Sequence, residues 1–233
     1  MSPLAGSTIG EELLDDPTAD PAAVRLSLAN LARANALFGG WWTVRTGLKR
    51  LLKDAGNGTL SLLDVGTGAG DLAGRARRWA GRQGNALKLF GVDQHSAAAR
   101  MATQVGVPSW IGCGSVLPLA DRSVDLVLLS QVAHHLAPAS LQQLVREITR
   151  VSRIGVVLAD LRPSRIAGAA YRLTGPLLRF DDHTVTDGII SLRRGFTPAR
   201  LAAELQAAGV TPWIRADWGV RIVAVWRSDG RPA

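Results

Sequence analysis

From Leu60 onward, apolar residues arrive in short continuous runs bounded by turn residues, alternating with stretches where they recur every three or four positions. The first pattern reads as a buried strand and the second as an amphipathic helix. Strands are expected at Leu60–Val65, Leu87–Val92, Pro108–Gly112, Val124–Leu129 and Ile154–Leu161. Between them fall a helix ending at Trp79, one from about Ser96 to Gln104 with Ser96 as N-cap, and one opened by Pro138. The last carries Leu141, Leu144, Val145, Ile148 and Val151 on one face. A further helix, Pro198–Ala208, is stopped by Gly209, and two strands follow, Val210–Ala216 and Val220–Trp226. Alternating strands and helices imply a parallel sheet covered on both faces, whereas a final pair joined by the short turn Asp217–Gly219 must run antiparallel. The expected fold class is α/β: a doubly wound, mostly parallel seven-stranded sheet with an antiparallel C-terminal pair.

Ahead of this pattern, residues 1–20 lack periodicity and read as a loose arm. Ala22–Phe38 places Val24, Leu26, Leu28, Leu31 and Leu37 roughly on one helical stripe, and Trp41–Leu52 turns Val44, Leu48 and Leu51 inward. This gives a division into an arm with a helical appendage over one sheet edge (1–55) and the main domain (56–233), with a lid insertion at 162–197. No apolar run is long enough for a membrane span, and the acidic N-terminal stretch is unlike a secretory signal. With a single cysteine there is no internal disulfide, so a cytoplasmic location is expected. The net charge of +8 is dispersed through amphipathic segments, which fits coding bias as well as an anionic partner. Oligomeric state is not legible.

The sharpest chemical signal is the turn Gly66-Thr67-Gly68-Ala69-Gly70-Asp71 between the first strand and its helix. Glycines there let backbone approach a ligand where a Cβ would collide. A dinucleotide site needs G-x-G-x-x-G, with the third glycine beneath a pyrophosphate. Here Asp71 occupies that third-glycine slot, where its carboxylate repels a phosphate but attracts an ammonium. A cationic, phosphate-free nucleoside is therefore preferred. Asp93, at the tip of the second strand, suits ribose hydroxyls, each charge-assisted bond being worth roughly 1.5–3 kcal/mol. A favourable charge near a helix N-terminus is the competing reading of Asp93.

Together LLDVGTGAGDLA, GVDQ, LPLADRSVDLVLLSQVAHHL and AAGV resemble the class I S-adenosylmethionine-dependent methyltransferases, nearest the branch of ubiquinone/menaquinone-biosynthesis and small-molecule O-methyltransferases. The resemblance covers roughly residues 59–227. It implies S-adenosyl-L-methionine as cofactor, held by Gly66, Thr67, Gly68, Gly70 and Asp71, with Asp64 orienting the turn and Asp93 on the ribose. It also implies Ser130 and Gln131 beside the methionine moiety. Where the family has an acid for the adenine amino group, this chain has Cys113 between Gly112 and Gly114. A thiol is a weak acceptor, which leaves adenine to the Gly114 amide and to packing by Gln94 or Trp110. The alternative for Cys113 is a small buried hydrophobe.

Methyl transfer to a phenolic hydroxyl is helped by a base, and His134 and His135, after the fourth strand, are the first candidates. The family resemblance also allows them a structural or cofactor-positioning role. His183, in the insertion, is a further candidate, against a solvated loop histidine. Trp41 and Trp42 either cover the pocket or serve as packing. No metal site is expected. The function expected is methyl transfer to a small, partly apolar molecule, most simply O-methylation of a phenolic, quinone-like or polyketide hydroxyl. C- or N-methylation and a non-catalytic cofactor-binding protein are the alternatives. RNA methylation is disfavoured because Ser130-Gln131-Val132-Ala133 stands where base-amino methylation uses an Asn/Asp-Pro-Pro-aromatic turn.

Overall fold

The computed structural model describes residues 10–53, 58–217 and 219–233. Five strands run parallel: β1 (Thr59–Val65), β2 (Ala86–Asp93), β3 (Ser109–Ile111), β4 (Val124–Ser130) and β5 (Ser152–Leu161). With β6 (Trp213–Asp217) and β7 (Arg221–Arg227) they form one sheet in the order β3-β2-β1-β4-β5-β7-β6, β7 being antiparallel to both neighbours. Residue 218, in the turn expected between the last two strands, lies outside the described residues. The register pairs Val65 with both Val92 and Leu129, so the carboxyl ends of β1, β2 and β4 finish level. Strand order reverses at β1, and the crevice beyond such a switch point is where this architecture takes ligands.

Alternation along the strands divides the core in two. Leu63, Val65, Val127, Leu129, Val156 and Leu158 face α5 (Pro138–Val151) and α8 (Pro198–Ala207). Leu60, Leu62, Leu126, Leu128 and Val157 face the other way, toward α2 (Gly40–Leu52) and α3 (Asp71–Arg82). Continuous apolar runs are what strands buried on both faces require. Val44, Leu48 and Leu51 of α2 are fully buried as expected, but they lie on the face of β5 and β7 rather than over an edge. Gly47 permits this approach: a Cβ there would sit 2.4 Å from a Val157 methyl.

The first helix departs from its expected stripe. α1 (Pro21–Leu37), capped by Asp20, buries Val24, Leu28, Ala34 and Asn35, while Leu26 and Leu37 are exposed. Its contact line follows positions 24, 28, 31 and 35 along α4 (Ser96–Gln104) and the rim of the crevice, and residues 26 and 37 fall off that line. His95, not Ser96, is the N-cap of α4. Trp41 packs edge-on against Trp79, and Trp42 is 60% exposed under Arg45, so the pair serves packing and surface rather than covering the crevice.

Residues 162–197 contain α6 (Arg165–Thr174) and α7 (Asp182–Arg194), capped by Ser164 and Asp181. Helix α7 packs against α1 and against the 3-10 turn Ala133–His135 that follows β4. Of the N-terminal arm, residues 1–9 lie outside the described residues. Residues 10–20 are not loose: they include a 3-10 turn at Leu13–Asp15 and are tied to the body at several points. Among the described residues no helix is long and apolar enough to cross a membrane.

Candidate active site

The turn after β1 owes its shape to its glycines. Gly66, Gly68 and Gly70 have φ of 70°, 54° and 73°, a region costly to residues with a Cβ. Gly66 is doubly constrained, since a Cβ there would lie 2.3 Å from a Val132 methyl. The turn is fastened to β2 by the acid at that strand's tip. Asp93, expected on the ribose, accepts hydrogen bonds from the Gly68 and His95 amides, both at 2.9 Å, and so also anchors the loop. Burial pushes its carboxyl up, and the amides of His95 and Gly68 oppose that shift.

Two further acids face the turn. Asp64 is buried and accepts from the Thr67 hydroxyl at 3.1 Å, as an orienting residue would. Burial, with Asp71 and Asp93 nearby, holds its carboxyl well above the usual range despite the Thr67 bond. Asp71 opens α3, where a carboxylate meets the positive end of the helix. Its Oδ2 atom is buried and has no hydrogen-bond partner. Burial raises its pKa, opposed by Arg75 and by a bond from Asn35. Asp71 lines a small recess with Asp64, Gly66, Gly68, Ser130 and Gln131. An unsatisfied buried carboxylate in that position calls for a cationic group. The ammonium of an amino-acid-bearing nucleoside fits that need, so the residues present suit S-adenosylmethionine.

At the end of β4, Gln131 holds φ at 57°, a strained setting for a non-glycine residue. It is fixed by its amide bonding the Ala159 carbonyl and by its side chain donating to Asn35 at 2.6 Å. Ser130, Gln131, Asp93, Gln94, Cys113 and Gly114 all border one crevice of about 150 Å³. Gly114 is required there, because a Cβ would come within 2.6 Å of Val65. Cys113 is exposed rather than a small buried hydrophobe, because β3 is short and the chain turns outward after Ile111. The Nε1 atom of Trp110 is buried without a partner.

The histidines form a network that the sequence did not disclose. His134 Nδ1 lies 2.6 Å from Asp160 at the end of β5, and His135 Nδ1 lies 2.6 Å from Asp15 of the arm. The two rings stack with centroids 4.2 Å apart. Glu12 faces both Nε2 atoms, one carboxylate oxygen 3.9 Å from His134 and the other 3.8 Å from His135. Arg194 ties the arm down, bonding Glu12 at 3.2 Å, Asp15 at 2.8 Å and the Gly10 carbonyl. Ser191 donates to Glu12, and Asp187 accepts from the Leu13 amide. Asp187, Ser191 and Arg194, all on α7, are thus the seat of the arm. Burial pushes Asp160 up, but His134 and the Leu161 amide overcome this and hold it below the usual carboxylate range. Burial raises Glu12, with His135, Ser191 and Arg194 opposing.

Leu14 of the arm borders the crevice, and its carbonyl accepts from Gln94 and lies 3.1 Å from His95 Nε2. Leu28 and Leu31 of α1 line it as well. Of the expected site residues, the structure brings together Asp64, Gly66, Thr67, Gly68, Gly70, Asp71, Asp93, Gln94, Cys113, Gly114, Ser130, Gln131, His134 and His135. His183 stands apart, exposed on the first turn of α7. Glu12, Asp15, Asn35, His95, Asp160 and Arg194 were missed as site residues. Asp160 was within reach: like Asp93, it is an acid at the carboxyl end of a parallel strand. The arm carries no such signal, because its hydrogen-bond and ion-pair partners on the body lie 80 or more residues away.

Residues 63–159 match a family model described as a methyltransferase domain. No curated protein sequence matches the chain. Among solved structures, a possible histamine N-methyltransferase from Thermotoga maritima aligns with a TM-score of 0.59 at 15% identity, over 90% of this chain and 100% of that one. A methyltransferase from Aquifex aeolicus aligns at 0.59 and 17%, over 89% and 98%. The magnesium protoporphyrin IX methyltransferase of Synechocystis, crystallised with bound SAH, aligns at 0.54 and 14%, over 82% and 84%. At these identities the likeness is one of fold.

Proposed function

We propose that this chain, an S-adenosylmethionine-dependent methyltransferase by its matched domain, methylates an oxygen of a small, partly apolar acceptor such as a phenolic, quinone-like or polyketide hydroxyl. The cofactor supplies the activated methyl and the leaving sulfur, so the protein's task is to hold both reactants in line and manage one proton. The buried Asp71 Oδ2 atom, without a hydrogen-bond partner beside the glycine turn, is the observation that carries the cofactor's placement. In this reading the Gly66–Gly70 backbone lies against the methionine moiety, Asp93 takes the ribose, and Gly112–Gly114 borders the adenine. The relatives of similar fold that act on magnesium protoporphyrin IX and, possibly, on histamine also methylate small molecules.

The proton of the acceptor hydroxyl goes to His134 in this proposal. Bonding between Nδ1 and Asp160 fixes the ring and the tautomer, leaving the Nε2 lone pair free to accept. With the arm in place the crevice holds about 150 Å³, below the roughly 300–1,000 Å³ of sites that enclose drug-sized ligands. The arm must therefore lift for cofactor and acceptor to bind together, and lifting it uncovers His134 and His135. Apolar Leu14, Leu28, Leu31 and Leu136 along this crevice favour a partly apolar acceptor.

Incubation with methyl-labelled cofactor and a panel of phenols, hydroxyquinones, amines and RNA tests the reading. Label released by ether cleavage from a phenolic product is expected. Label fixed on carbon or nitrogen, or found only on RNA, overturns it.

A further inference from the structure

We propose that Glu12, His134 and His135 form a binding site for one divalent transition-metal cation, of the zinc class, that fastens the N-terminal arm across the crevice. The ligand atoms, one from each residue, lie within 4.8 Å of one another. Around a tetrahedral zinc with bonds of about 2.0–2.2 Å, neighbouring ligand atoms are ~3.4 Å apart. The Nε2–carboxylate separations of 3.9 and 3.8 Å run to the two different oxygens of Glu12, and with all pairs within 4.8 Å the ligand atoms need to close by about half to one and a half ångströms, which a turn of the Glu12 side chain supplies.

Two independent features point to a cation. First, His134 Nε2 is buried, has no hydrogen-bond partner and is aimed at Glu12; its side chain is 2% exposed. Second, each histidine has its other nitrogen on a carboxylate, Asp160 for His134 and Asp15 for His135, both at 2.6 Å. That carboxylate–histidine pairing is the outer shell that orients imidazoles toward a metal. Two imidazoles and a carboxylate favour zinc, copper or nickel over magnesium.

The third ligand comes from the arm and the other two from the turn after β4, so the cation and the docked arm stabilise each other. In the bound state both Nε2 atoms are withdrawn from proton chemistry. The consequence for turnover rests on the function proposed above, but the site itself does not, and neither readout below uses cofactor or acceptor.

Untagged full-length protein, stripped with a chelator, is titrated with zinc by calorimetry and with cobalt by visible absorption, with magnesium as a control. The expected result is one equivalent of zinc, a cobalt d–d band, no magnesium heat, and slower proteolysis of the arm when zinc is present. Glu12→Gln and His135→Gln should each weaken zinc at least tenfold while leaving the thermal unfolding of the metal-free protein cooperative. Absence of stoichiometric zinc binding, affinity unchanged in both variants, or zinc binding without protection of the arm would each overturn the proposal.

Discussion

Asp71 shows how a single side chain can decide between ligands. In the sequence it excluded a pyrophosphate by charge, and in the structure one of its oxygens is buried without a partner. Asp71→Asn keeps the shape and removes the charge, so it should weaken S-adenosylmethionine binding at least tenfold, or about 1.4 kcal/mol. The stability of the ligand-free fold should change by no more than about 1 kcal/mol, because the substitution relieves a buried Oδ2 without a partner but also removes a favourable charge from the N-terminus of α3. Asp93→Ala should weaken binding by a similar factor and also lower stability, since it frees the Gly68 and His95 amides. Calorimetry with parallel thermal unfolding separates the two. His134→Gln should leave cofactor affinity intact and lower kcat by about 10²-fold or more. Equal loss in affinity and kcat would make His134 a positioning residue. Asp71 and Asp93 were legible because one follows the glycine turn and the other ends the strand beside it, whereas His134 was marked only by its place after the fourth strand. Asp160 also lies at the carboxyl end of a parallel strand and was passed over because that strand does not adjoin the glycine turn.

At the level of elements, the arm was the hardest part to read. Residues 10–20 have no period of their own, and what orders them is a set of contacts to Arg194, Ser191, His135 and His95 far along the chain. No local pattern encodes such contacts. The helix α1 was legible as a helix but not in its facing, because it rests on a crevice rim and on α4 rather than on a broad core. Acid should undo the arm's docking in a defined window. Burial pushes the Asp15 carboxyl up, but bonds from His135, the Glu12 amide and Arg194 prevail and bring it to about 2, below its ordinary 3.8. A depressed folded-state pKa contributes stability that is present above the unfolded value and disappears as pH falls through the folded one. The stability difference between the wild type and Asp15→Asn should be constant above about pH 4 and shrink toward pH 2. Thermal unfolding across that range checks it; a difference that grows on acidification would refute the assigned contacts.

Taken as a whole, the molecule's sheet was legible almost strand for strand, because its strands are buried on both faces and read as unbroken apolar runs. Strand limits shifted by one to three residues where turns take up buried apolar side chains, as Val210 does ahead of β6. What the pattern could not tell was that α2 belongs to the main core. Leu48 is fully buried beneath the sheet, so Leu48→Ala should cost about 2–5 kcal/mol and lower the melting temperature of the entire chain in one transition. A separate early transition would mean that α2 unfolds independently. The crevice, the acids at the carboxyl ends of β1, β2 and β5 and the seated arm all derive from that one end of the sheet.

The most direct test is a crystal structure of the chain with S-adenosylhomocysteine. The account predicts its ammonium on Asp71, its ribose hydroxyls on Asp93, and the arm displaced from its present seat on α7. A cofactor lying elsewhere, or bound with neither carboxylate in contact, would contradict it.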